Sequence, residues 1–342
     1  MIDFRYHLVS IVSVFLALAI GIVVGATALK PEVANTLNHA TTAEAKANNV
    51  LYAHNQQLKD EIGADQAFAQ AAEGSLLRGL LAGQNVVLVL APGADSPTVG
   101  GVTTALQKSG AVVTGQVVLS QQFFDTGSVN EQLLKTTATN SIPPGIALPN
   151  SATDPQISGQ LAAAQVIAAA IVNKDGLATL TAKASQQVLT GFGNAGFLQV
   201  NGGNGSSVLT GQATMAVVVL PATVPPTKTS GPFNLALVSL AQDLQASSKG
   251  ALLAGSFKGS GPQSAIDAVV SGNAGVKLMT VDNADTVIGQ IFVAQALNQL
   301  LTGSAGPTAY GVRPATVPSP APSASPTPSA SSSQPTRKKT RR

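Results

Sequence analysis

Asn85-Val86-Val87-Leu88-Val89-Leu90, followed by Ala91-Pro92-Gly93-Ala94-Asp95, is the stretch whose reading decides the fold. Five apolar residues in a row, with no polar alternation, describe a short strand buried on both faces. The Pro-Gly turn after it and the helical spacing from Val99 to Ser109 add a crossover. Val112 to Leu119 then supplies a second strand, giving a β-α-β unit.

The same pattern recurs downstream. Thr214 to Leu220, Gly250 to Gly255 and Val276 to Val281 read as further buried strands. Helices are expected at Ser158 to Val172, Ala178 to Thr190, Phe233 to Ser247, Ser264 to Ser271 and Thr286 to Leu301. Residues 123–157 read as irregular, with Pro143-Pro144-Gly145 and Asp154-Pro155 as breakers, and Gly191 to Ser206 as a loop. Strands alternating with helices predict an α/β three-layer sandwich with a parallel sheet of about five strands over residues 83–303. Continuous apolar strands are not the alternating segments of a membrane barrel.

Upstream, Leu8 to Leu29 contains no charged residue. A helix of this length reaches roughly 33 Å, enough to cross a ~30 Å hydrocarbon core. Gly21 and Gly25 have the G-x-x-x-G spacing of close helix packing. Ala26-Thr27-Ala28 matches a signal cleavage site, but the apolar core is long and the start weakly basic, which favours an uncleaved anchor. The expected topology is a cytoplasmic start at 1–7, a transmembrane helix at 8–29 and the bulk of the chain extracytoplasmic.

Residues 30–82 lack the strand pattern. Val33, Leu37, Ala40, Ala47, Leu51, Leu58 and Ile62 trace a heptad seam, interrupted by Glu44 and His54. Two readings stay open: a coiled-coil stalk that makes a homo-oligomer, or a helix folded back on the following domain. At the other end, residues 304–342 are Pro- and Ser-rich and finish in RKKTRR, a block suited to anionic lipid or wall polymer.

Composition narrows function. Charged residues are 10% of the chain and the formal net charge is +3, and RKKTRR at the end supplies more than that, so no nucleic-acid partner is expected. There is no Cys, hence no disulfide and no thiolate metal site. The soft or imidazole ligands are Met1, His7, His39, His54, Met215 and Met279, scattered along the chain. His39 and His54 lie about four helical turns apart and cannot share an ion within one chain. Gly191-Phe-Gly-Asn-Ala-Gly196 matches G-x-G-x-x-G but follows a helix rather than a strand, so it is a poor dinucleotide loop. No His follows residue 54, which leaves no Ser-His-Asp set in the α/β region. A crevice, if one exists, belongs at the carboxyl edge of the sheet, near Asp95, Ser256, Lys258, Asp282 and Asp285. Helix capping is the simpler role for Asp282 to Thr286. No catalytic, cofactor or metal residue is assigned, and no enzyme is expected.

Five stretches resemble one family: MIDFRYHLVSIVSVFLALAIGIVVG, VVLVLAPGAD, SGAVVTGQVVLSQQFFD, VDNADTVIGQIFVAQALNQLL and AYG. They look like the mycobacterial-type copper transport (MctB) family of actinobacteria, from Met1 to about Gly311. The resemblance implies a cell-envelope protein of copper efflux and homeostasis, channel-like and set in the outer membrane, with copper ion as the transported species. A non-catalytic envelope scaffold is the alternative.

Overall fold

A computed structural model describes residues 4–142, 158–174, 180–203, 205–224, 227–304 and 308–313; for residues 4, 5, 28–40 and 227–229 it describes the backbone alone. The breakers at 143–145 and 154–155 and the tail beyond 313 therefore lie outside the described residues. The chain divides into two units, Met1–Ala67 and Phe68–Arg342.

Helix α1 (Phe4–Leu77) forms the described part of the first unit and enters the second. Its segment Tyr6–Thr27 is long and apolar enough to cross a membrane. Ser13 and Thr27 each donate to the carbonyl four residues back, at 2.8 Å, so neither hydroxyl is left without a partner in an apolar setting. Leu51, Leu58 and Ile62 of the heptad seam are exposed. Val33, Leu37, His39 and Ala40 have side chains outside the described residues.

The second unit holds a mixed α/β fold on one seven-stranded sheet, ordered β3-β2-β1-β4-β5-β6-β7. The strands are β1 (Asn85–Leu90), β2 (Val112–Leu119), β3 (Leu198–Gly202), β4 (Met215–Val219), β5 (Gly250–Ala254), β6 (Met279–Val281) and β7 (Ala309–Tyr310). All neighbours are parallel except β2 and β3.

Strand geometry sends successive side chains to opposite faces. Val87 and Val89 accordingly join one apolar core, and Val86, Leu88 and Leu90 the other. The first core is filled by α3 (Ser128–Ser141), α4 (Gly159–Ile171), α5 (Ala182–Asn194), α6 (Thr227–Ser247) and α7 (Ala265–Val270). The second is filled by α2 (Ser96–Lys108), α8 (Val287–Thr302) and the end of α1. Burial of β1 and β4 on both faces explains their unbroken apolar sequence.

The core reaches beyond Gly83 and Gly303 in both directions. Ala69, Glu73 and Leu77, spaced by four, are buried along one face of α1, and Leu81 follows them. Glu73 pairs with Lys108 of α2 at 2.5 Å. At the far end, Tyr310 is 1% exposed and its phenol donates to Gln299.

Three expectations on element placement are corrected. The segment expected to be irregular contains a 3-10 turn, Gln121–Phe124, and all of α3. Helix α3 is polar, buries only Leu134 and Ala138, and has no side-chain cap at Gly127, so it carries little helical signal. The expected loop at 191–206 contains the end of α5 and the antiparallel strand β3. The sheet has seven strands rather than about five, because β3 and the two-residue β7 add its edges.

One half-buried acid gives a pH-dependent stability. Burial alone pushes Asp243 of α6 up to about 6 from its usual 3.8. The folded chain therefore binds more protons than the unfolded chain between these values, and stability rises as pH falls from 6 towards 4. Asp243→Asn is expected to raise the thermal midpoint at pH 7.5 and to flatten its pH dependence across that window. Parallel melting curves for the variant and the parent at every pH would contradict this.

Candidate functional site

In open α/β sheets, ligands sit beyond the carboxyl ends of the strands, where the strand order reverses. Here the reversal lies between β1 and β4. The turns that leave these strands close on each other. Ala91 donates its N–H to Val219 O at 2.9 Å, and Ala222 donates to Gly93 O at 2.8 Å. Gly93 has φ 84°, and a Cβ there would lie 3.6 Å from Pro221, so the two turns are in direct contact.

The polar residues expected at this edge are brought to it and are mostly engaged by the fold. Asp95 caps α2, accepting from Thr98 N at 3.0 Å and Thr98 Oγ1 at 2.8 Å. Ser256 Oγ donates to Ala222 O and accepts from Gly259 N. Asp285 accepts from Phe257 N at 3.2 Å. Lys258 is exposed. Capping of α8 falls to Thr286, whose hydroxyl accepts from Gly289 N at 3.1 Å.

Asp282 has a different task from capping. Its carboxylate accepts from Val312 N at 2.7 Å and Arg313 N at 2.6 Å, so it holds the chain that leaves β7. Burial raises its pKa; the two backbone N–H groups and the charge of Arg313 pull the other way. Gly311, at φ 127°, lies so close that any Cβ would overlap this carboxylate. The Arg313 guanidinium stacks 4.1 Å above the Phe257 ring centroid. The Ala-Tyr-Gly run thus has a physical basis: Tyr310 fills the core and Gly311 makes room for Asp282. Sequence reading missed the role of 310–313 because a two-residue strand has no periodicity.

Two buried oxygens at this edge, Ser260 Oγ and Asn283 Oδ1, have no hydrogen-bond partner among the described residues. They lie in a region packed tightly by glycines, and no ligand chemistry follows from them alone.

The G-x-G-x-x-G run is a helix terminus. Gly191 to Asn194 form the last turn of α5, and Gly196, at φ 81°, is the left-handed residue that ends it. Its N–H donates to Gly193 O, and Phe197 N donates to Phe192 O. Met215 and Met279 lie in buried strands, at 0% and 4% exposure, with their side chains in the apolar core. His54 is exposed on α1. Among the described residues no group of three or more His, Cys, Asp or Glu could hold a metal ion.

These features define a class: an apolar helix able to span a membrane, followed by an α/β domain whose sheet edge is closed by its own turns. The chain matches the family described as "Copper transport outer membrane protein, MctB" over residues 1–320. It belongs to that family. It is 26% identical over 312 residues to the copper transporter MctB of Mycobacterium tuberculosis and to that of Mycobacterium bovis, covering 89% of this chain and 94% of theirs. It is 28% identical over 306 residues to the copper transporter MctB of Mycobacterium leprae, with the same coverage.

Proposed function

We propose that this chain is a membrane-anchored envelope protein of copper transport and homeostasis, and that it has no catalytic role. The family match carries this reading, because it spans both the apolar helix and the α/β domain. Copper is the transported species, passed on without a dedicated ligand cage in the described residues. A strain lacking the gene should grow poorly as copper rises and recover when the full chain is restored. Equal growth of both strains across the copper series would instead favour the scaffold reading, which the closed sheet edge also suits.

In this reading the domain is a three-layer sandwich outside the cytoplasm, tethered by residues 8–29 and a stalk over 30–82. The exposed Leu51, Leu58 and Ile62 suit a homo-oligomeric coiled coil. Light scattering on the full chain in detergent would show an oligomer, and a monomer would remove that element. The basic end at RKKTRR binds anionic lipid or wall polymer, and deleting it should lower retention on anionic vesicles. Orientation has its own test, since the chain has no Cys. Ser304→Cys places one thiol on an exposed site. It should react with an impermeant reagent in intact cells; labelling only after lysis would reverse the topology.

A further inference from the structure

We propose that helix α1 pairs in parallel with other copies of this chain, and that their His54 side chains together bind one copper ion. The proposal rests on the homo-oligomeric reading of α1 above. What it adds is a metal site that no single chain completes.

The helix face comes first. At about 100° per residue, Val50, Leu51, Leu58 and Ile62 fall within an arc of about 120°, and His54 lies inside it. All five side chains are exposed. Asn49, Gln56, Lys59 and Asp60 lie on the opposite side, where Gln56 donates to Asp60 at 3.1 Å. Leu51, His54 and Leu58 are also successive seam positions, so His54 sits between two leucine layers. Glu61, one heptad after His54, accepts from Gln57 at 2.8 Å and is held against its own helix.

The occupant of this face is a second copy, level with the first. Helix α1 runs unbroken from the apolar segment Tyr6–Thr27 through His54. Copies held by that segment in one bilayer point the same way, and each places His54 roughly 40 Å along the helix beyond Thr27. Parallel, in-register seams set each residue against its equivalent in the next copy. A polar residue at a single seam position fixes register at a cost in stability. A metal ion shared by the imidazoles offsets that cost.

The ligand set selects the ion. A dimer supplies two imidazole nitrogens and a trimer three. Nitrogens that share an ion each stand about 2.0 Å from it, and helix axes about 8–10 Å apart leave room for that. Magnesium and calcium call for six or more oxygens, which this face does not offer. Imidazole suits late transition metals, and affinity among the divalent ions peaks at copper. The chain has no Cys to compete for it. Among the described residues no group of three ligands forms within one chain, so the second copy is what completes the site.

The test is a titration of the untagged full chain in detergent micelles with Cu2+, read by calorimetry and by electron paramagnetic resonance. One ion should bind per oligomer, with nitrogen hyperfine structure in its spectrum. His54→Ala should weaken binding about a hundredfold or more, because even a group that only supports a ligand is worth about 10–100-fold. His39→Ala, one position before the seam residue Ala40, should leave it unchanged. Leu51→Asp combined with Leu58→Asp keeps every histidine but splits the seam, and should lose the site as fully. Both leucines are exposed, so neither change touches a buried core. Equal affinity in the parent and His54→Ala, or one ion per chain in the double variant, would overturn the proposal. An oligomeric parent that binds no copper overturns it and leaves the stalk standing, whereas a monomeric parent removes both. The growth of the deletion strain in copper is a separate measurement and does not depend on these outcomes.

Discussion

A fragment that starts at Phe68 will fold, and one that starts at Gly83 will not. The difference is the end of α1. Leu77 and Leu81 are fully buried, and Ala69 is 6% exposed against the same core. Losing two buried leucines costs about 2–5 kcal/mol each. That is of the same order as the whole stability of a domain, about 5–15 kcal/mol. The pair between Glu73 and Lys108 adds little, because Lys108 is 45% exposed. Urea unfolding of Phe68–Arg313 and Gly83–Arg313 compares them directly. Equal midpoints would show that α1 contributes nothing to this core.

Val217→Asp should abolish folding. Val217 is fully buried in β4, which is paired on both sides, with β1 and with β5. A carboxylate placed there has no partner, and burying it unpaired costs several kcal/mol. The lost valine packing adds to that cost. The matched control is Val129→Asp, at a site 84% exposed on α3, which should leave the melting curve unchanged. Circular dichroism of both variants in the Phe68–Arg313 fragment separates them. Native-like spectra for Val217→Asp would mean that β4 is not doubly covered.

The central strands were legible because burial on both faces writes an unbroken apolar run, as in β1 and β4. The apolar helix was legible for a similar reason: Tyr6–Thr27 is long and apolar enough to cross a membrane. Edges were harder. Strand β3 has polar Gln199 and Asn201 between its buried residues, and β7 is shorter than any window of periodicity. Helix α3 covers the core with one short stripe, so its sequence looks like a polar loop. Asp95, Ser256, Lys258, Asp282 and Asp285 follow the ends of β1, β5 and β6, where the sequence set them. Most of their roles were not legible, because each depends on a backbone N–H or carbonyl contributed by a distant turn. Asp282 shows this best: it faces Val312 and Arg313, thirty or so positions along the chain.

Strands buried on both faces also bear on how copper could cross a membrane. A barrel wall presents one face to lipid, whereas the inner strands of this sheet are apolar towards helices on either side. Any conductance is therefore expected from assembled apolar helices and not from the α/β domain. Planar-bilayer recording tests this most directly, with the full chain and the Phe68–Arg313 fragment applied at equal concentration. The account predicts a detergent-free, soluble fragment that leaves the bilayer silent, with any channels confined to the full chain. Reproducible channels from the purified fragment would contradict it.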